Sequence, residues 1–344
     1  MDARPDRSLH WRPAFPVDAK LTLKALRRGR HDPAHREEAD GLWRTALTST
    51  GPVTYRIRQH RLDDLEVDAW GPGADELVEH IRAELGAHDH PEEFRPAHPV
   101  LDRARRRLPG LRVPRTGRVF EALVPAILEQ RVVGLDAQAA WTRLLRAHGT
   151  PAPGTAPAAM RVMPHPEVWA KIPVWDWRRA GVDLRRSRTV VLAARHAGKL
   201  ERAAADPAGV YRLLSAMPGI GVWTAAQVGH RALGDADALP LGDFDLGRMT
   251  GLALAGRALA DKEVEAFYRP WRPHRYRVVR VLELTPGLAP RRSHRAPRAA
   301  VPLRKPVSGC GQRRRPGSAH LATPSRSRSA TAISAGRARA RPFR

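Results

Sequence analysis

Cysteine is all but absent. Cys310 is the single one in 344 residues, which excludes an intramolecular disulfide framework, a Cys-ligated zinc site and a four-Cys iron–sulfur cluster. No apolar run approaches the roughly 20 residues of a membrane span. The N-terminal MDARPDRSLHWRP also lacks the apolar stretch of a secretion signal. A soluble cytoplasmic protein, nucleoid-associated if bacterial, is therefore expected. Acidic residues are scarce too, 35 Asp and Glu against 60 Lys and Arg, giving a formal charge of +25. Such an imbalance calls for a polyanionic partner, nucleic acid before a membrane surface. The 15 histidines show no H-E-x-x-H or similar ligand spacing.

The positive charge is uneven. From Leu284 to Arg344 there is no acidic residue, while 15 of the Lys and Arg lie there. The 283 residues before it carry the other 45 against all 35 acids. Runs such as RRSHRAPRAA and GRARARPFR have neither helical nor strand periodicity and cannot repay the entropy of folding, so disorder is expected. Fold and function must come from the rest.

That part divides by its periodicity. Val53, Tyr55 and Ile57 alternate with polar residues, and Leu65, Val67 and Ala69 repeat the pattern after a short polar turn. Two such runs predict a hairpin with one buried face. Helical patterns flank it at Leu21–Arg28 and Ala74–Leu85. Beyond Val119 the period becomes helical: Phe120, Leu123, Val124, Ile127 and Leu128 form one apolar stripe. Further helices are predicted over Leu135–His148, around Glu167–Lys171 and over Leu184–Ala197. The stretch TPAPGTAPAA (150–159) is a loop by its Pro and Gly content.

The segment from Asp206 to Ala226 says most about function. Asp206-Pro207 starts a helix, with an N-cap carboxylate and Pro where its missing N–H costs nothing. Pro218-Gly219-Ile220-Gly221 then turns directly into a second helix near Val222. A tight turn with two glycines lets backbone N–H groups approach a phosphate, holding a nucleic acid without reading its sequence. Taken alone, such a turn could equally be an ordinary helix connection.

The string LLSAMPGIGVWTAAQV resembles the hairpin of the helix-hairpin-helix DNA glycosylases, which carry a Gly/Pro-rich turn and a following aspartate. That aspartate is present in LPLGDFDL as Asp243, 22 residues beyond Gly221. Within the superfamily the resemblance is to the alkylation-repair, DNA-3-methyladenine glycosylase II group. PGLRVPRTGRVFEALVPAILEQRVVGLDAQAA resembles the first core segment, RPWRPHRYRVV (269–279) the final helix, and WRPAFP the extra N-terminal domain. The likeness spans about 10–285. It implies a mainly α protein with an α+β N-terminal domain (1–105), a helix-hairpin-helix glycosylase core (106–285) and the basic tail (286–344).

The resemblance also implies roles. Cleaving an N-glycosidic bond builds positive charge on the sugar, which a fixed carboxylate stabilises. Asp243 would be that group and would help orient water; capping a helix that starts at Leu246 is its bland alternative. Trp223 and Trp271 match pocket aromatics, whose faces attract a cationic methylated purine; Phe244 and Gln227 stand at pocket positions where relatives carry tyrosine, and core packing is the alternative for the aromatics. Bifunctional relatives carry a Schiff-base lysine where this chain has Trp223, so hydrolysis without strand cleavage is implied. Pro218, Gly219, Ile220, Gly221 and Thr224 would hold DNA. Gln130 and Arg131 match the place that fills the gap left by a flipped nucleotide. Backbone carbonyls of Ser215, Met217 and Ile220 match a monovalent-cation site, sodium or potassium, and no other cofactor is required. Asp245 is read as a helix cap, and Trp141, Trp169, Trp175 and Trp177 as packing residues. Asp235 and Asp237 add acids, but Leu239 and the missing glycine break a calcium-loop pattern. The expected partner is duplex DNA with damaged bases, met by a monomer away from membranes. Alternatives are another damaged purine as substrate, or a non-catalytic DNA clamp.

Overall fold

The period-two runs form strands, as their alternation requires. The computed structural model describes residues 4–288, so the basic tail from 289 onward lies outside the described residues. Strands β1 (Arg7–Trp11), β2 (His35–Glu38), β3 (Gly41–Leu47), β4 (Pro52–Arg61) and β5 (Asp64–Trp70) form an antiparallel sheet in the order β1-β5-β4-β3-β2. The β4–β5 hairpin pairs Tyr55 with Ala69 and Ile57 with Val67. Its six alternating apolar residues are all buried, packed with α1 (Ala19–Leu23) and α2 (Ala74–Glu84). The helix predicted over Leu21–Arg28 instead ends as a 3-10 turn at Leu26.

The sheet's outer face is less wet than alternation implies. Trp43 and Trp70 stack there at 5.3 Å, the Arg56 guanidinium lies over both rings, and Met160 packs against the pair. Met160 comes from the Pro/Gly-rich loop, which is bounded by the two-residue strands β6 (Thr150–Pro151) and β7 (Arg161–Val162).

The helical part contains α3 (Pro99–Arg106), α4 (Val119–Leu128), α5 (Gly134–His148), α6 (Pro166–Lys171), α7 (Val174–Ala180), α8 (Leu184–Arg195) and α9 (Ala197–Arg202). After these come α10 (Pro207–Ser215), α11 (Val222–Val228), α12 (Leu246–Leu254), α13 (Asp261–Tyr268) and α14 (Arg275–Leu284). Helix α4 is the centre. It was expected to show one apolar stripe, yet every residue except Glu121 is buried, because helices surround it. Its first N–H groups, on Val119 and Phe120, donate to the Glu201 carboxylate at 3.0 and 2.7 Å. At its other end the Leu128 carbonyl accepts from Arg186 Nη1 of α8 at 2.7 Å.

Around α4, Trp141, Trp169 and Trp177 are buried in one tryptophan stack. Trp175 corrects the packing expectation, since it is 66% exposed. It lies two positions from Trp177 on α7, about 200° around the helix, so both cannot face one core. A separate core joins Phe94, Leu101 and Val113 to α12–α14. Among the described residues no helix is long and apolar enough to cross a membrane.

Candidate active site and hairpin

Helices α10 and α11 form the hairpin, starting where Asp206-Pro207 and Gly221 predict. The Asp206 carboxylate makes no cap bond and instead pairs with Arg212 at 3.2 Å. The two helices pack closely because Gly229, in the π-helical turn that extends α11, has no side chain. A Cβ there would lie 1.9 Å from Tyr211 Oη, whose hydroxyl donates to Asp235 at 2.6 Å. Inside the turn, Ile220 N–H donates to the Met217 carbonyl at 3.1 Å. Ile220 and Thr224 are buried, while Pro218, Gly219 and Gly221 are exposed.

Gly219 has φ +87°, and a Cβ built on it would meet Thr189 Oγ1 of α8 at 2.7 Å. Backbone strain and a clash therefore coincide. Gly219→Ala is expected to lower stability by about 1–2 kcal/mol and to weaken duplex binding. A melting curve within a degree of the wild type would show that the turn is not held as described.

Asp243 lies in the irregular segment between Gly234 and α12. Its Oδ2 accepts from the indole Nε1–H of Trp223 at 3.0 Å, and its Oδ1 from the Asp245 backbone N–H at 3.0 Å. Burial pushes the Asp243 carboxyl above its ordinary range, opposed by those two hydrogen bonds and assisted by the charges of Glu283 and Asp245. Helix α12 does start at Leu246, but its N-cap is Asp245, which makes no side-chain cap bond. The other nearby acids are structural: Asp237 grips Arg275 at 2.8 and 2.7 Å, and Asp235 holds Tyr211.

The remaining candidates divide. Phe244 follows Asp243 and is 72% exposed. Gln227, one turn beyond Trp223, is buried, and its side-chain oxygen accepts from Arg231. Trp271 meets Phe267 and Tyr268 edge-on at 5.5 and 5.6 Å. No bond in the described structure links it directly to Trp223 or Asp243. Trp271 packs on Tyr268, a residue that sequence reasoning missed. Tyr268 is fully buried and hydrogen-bonded to Thr250 at 2.6 Å; burial first, then the charges of Glu283 and Asp243, push its hydroxyl up. Its place in the helical pattern of Val264 and Tyr268, one turn apart, was the available signal. Gln130 Nε2 donates to both the Gly219 carbonyl and Thr224 Oγ1 at 2.9 Å, so its amide is used inside the protein. Next to it, exposed Arg131 adopts φ +55°, rare for a side-chain-bearing residue.

An antiparallel sheet packed on a helical core that carries a glycine-turn helical hairpin is a fold shared with solved DNA glycosylases. Two solved structures establish that fold. One is a 3-methyladenine DNA-glycosylase from Archaeoglobus fulgidus, with TM-score 0.64 and 18% identity over 79% of this chain and 96% of that one. The other is an 8-oxoguanine glycosylase/lyase of Clostridium acetobutylicum bound to duplex DNA, with TM-score 0.62 and 11% identity over 82% and 95%. In sequence, the chain is similar to a probable bifunctional transcriptional activator/DNA repair enzyme AlkA of Mycobacterium tuberculosis, 36% identical over 172 residues. That match covers 48% of this chain and 34% of the relative, so the chain spans about a third of that protein's length. No protein-family model matches the chain.

Proposed function

We propose that the protein is a base-excision DNA glycosylase that hydrolyses the N-glycosidic bond of alkylated purines of the 3-methyladenine type. The observation that carries this reading is the bond from Trp223 Nε1–H to Asp243 Oδ2 at 3.0 Å. It ties a cation-attracting indole to a carboxylate held in a partly desolvated place. The names of the AlkA relative and of the Archaeoglobus neighbour point the same way.

In this mechanism the hairpin turn grips the backbone while the damaged nucleotide leaves the stack; Thr224, buried and bonded to Gln130, supports the turn from inside. Arg131 occupies the gap, and Gln130 holds the loop that carries it. The cationic base stacks among Trp223, Phe244 and Trp271, with Gln227 behind. A purine that already bears a positive charge departs as a neutral base, so no general acid is needed. As the C1′–N bond breaks, Asp243 offsets the charge growing on the sugar. A water, oriented by the same carboxylate, adds to C1′ and loses its proton to solvent. Trp223 offers no amine for a Schiff base, which leaves the strand intact. The backbone carbonyls of Ser215, Met217 and Ile220 would be the hard oxygen donors for a sodium or potassium ion, whose charge would favour the nucleic-acid backbone. Met217 O spends one lone pair on Ile220 N–H and keeps the other.

The test is chromatography of bases released from methylated duplex DNA, with the strands analysed before and after alkali. Release of 3-methyladenine, intact strands before alkali and no adduct trapped by borohydride are expected. Duplex binding without any base release would leave only a clamp. A finer test concerns pH. The reacting form of Asp243 is the anion, so release should fall as pH drops through its raised pKa, above the ordinary value of about 3.9. Trp223→Phe removes a bond that stabilises the anion, so this acid limb should move to higher pH. An unmoved limb would refute the coupling.

A further inference from the structure

Three separate chain segments meet at one face beside the hairpin. Arg186 of α8 donates Nη1 to the Leu128 carbonyl at the end of α4, at 2.7 Å. Gln130, two residues on, donates to Gly219 O and Thr224 Oγ1 of the hairpin. The turn returns to α8 at Thr189, close enough that Gly219 has no room for a Cβ. The start of α8 is thus fixed against the element that would hold the DNA backbone.

On this part of α8, Arg185 and Arg188 are exposed, and neither has an acidic partner among the described residues. Asp183, the acid nearest to them in sequence, is engaged: it caps Arg186 N–H at 2.9 Å and holds Arg186 Nε at 2.7 Å. Exposed arginines elsewhere are often neutralised on the spot, as Arg61 is by Asp63 and Arg257 by Glu263. Leu184, next to Arg185 on α8, is 49% exposed, and Val222 at the start of α11 is 65% exposed. Residues three apart on a helix have Cβ atoms about 5–6 Å apart, so the two guanidinium groups can reach neighbouring phosphates of one strand.

We infer that Arg185 and Arg188 of α8 form a second phosphate-binding surface, continuous with the hairpin and acting on the backbone of duplex DNA. This rests on the glycosylase reading for its partner but not for its chemistry. Because phosphates carry no sequence, the contact adds affinity equally for damaged and undamaged duplex. Each phosphate neutralised releases condensed counterions, which makes the contact visible as salt dependence.

The experiment is fluorescence anisotropy with the full chain and two labelled duplexes, one carrying a tetrahydrofuran abasic analogue and one undamaged, over a series of KCl concentrations. Arg185→Gln/Arg188→Gln should lower the slope of log K against log [salt] by about 2, to the same extent on both duplexes. Arg185→Lys/Arg188→Lys, which keeps the charge, should restore most of the slope. Arg61→Gln/Arg257→Gln, with the same loss of net charge, should leave the slope near the wild type. An unchanged slope in the first variant overturns the inference, and so does an equal fall in the Arg61/Arg257 control. Base release by the unaltered protein is measured alongside. Binding with the predicted slopes but without release would sink the glycosylase reading and leave this surface standing, whereas release with unaltered slopes would do the reverse.

Discussion

Asp243→Asn is expected to reduce base release by about two to three orders of magnitude while leaving affinity for an abasic-analogue duplex nearly unchanged. The magnitude follows from the loss of a fixed charge facing a developing one in a partly dry site, typically about 3–4 kcal/mol. Asn keeps the shape, but its single side-chain oxygen can replace only one of the two carboxylate oxygens that accept from Trp223 Nε1–H and from the Asp245 N–H, and its NH2 faces the other donor. What the reaction loses is the negative charge, so base release should suffer far more than duplex binding. The acid limb of the pH profile should vanish with the charge.

Stability offers an independent sign. Burial raises the Asp243 pKa. A carboxyl whose folded pKa lies above its unfolded value costs stability once pH rises through that window, since the unfolded chain gives up the proton more readily. At neutral pH relief of that cost opposes the loss of one hydrogen bond, so the Asn variant should melt close to the wild type. Base release within about threefold of the wild type would exclude Asp243 as the stabilising group. A dead variant with a much lower melting temperature would instead assign the residue to structure.

Local features were the most legible in the sequence. Pro and Gly at 218–221 turn the chain wherever they stand, and alternation at 53–57 and 65–69 makes strands with little help from afar. The resemblance brought Trp223 and Asp243 to one site, but the bond between them depends on how the segment after Gly234 folds back. Long-range polar pairings were illegible. Nothing near Gln130 in the sequence indicates that its amide will meet Gly219, 89 residues away. The bond between Tyr268 and Thr250, 18 residues apart, belongs to the same class. Trp175 differs, because helical periodicity alone separates it from Trp177, and a residue-type argument overlooked the angle. The full burial of α4 was hidden for another reason: a helix pattern shows which side is most apolar, not how many neighbours will surround it.

The largest stability effect should come from Glu84→Ala, far from the hairpin. Glu84 is 1% exposed at the end of α2, where it accepts from Arg118 Nη2 at 2.8 Å and also bonds Arg44 and Tyr55. Arg44 and Arg118 share a second carboxylate, Glu121 of α4, at 3.4 and 2.7 Å. Two guanidinium groups thus face two carboxylates between the sheet layer and the central helix. Removing Glu84 leaves one buried positive charge without a counterion, a loss of about 3–5 kcal/mol. For a fold of this size that corresponds to roughly 10 °C in melting temperature. Burial alone would raise the Glu84 pKa, yet Arg118 and Arg44 hold it below the ordinary value. Its contribution is therefore present above the unfolded carboxylate pKa and lost as pH falls through the folded one, so wild type and variant should converge in acid. Arg44→Met added to Glu84→Ala should recover part of the loss, because it removes the orphaned charge and puts apolar volume in its place. Melting of the single variant within a degree or two of the wild type at neutral pH, or a double variant weaker than the single, would contradict this account. The consequence reaches the site through α4, whose beginning is held by this cluster and whose end leads into Gln130 and Arg131. A loosened α4 should therefore also weaken duplex binding at temperatures well below unfolding.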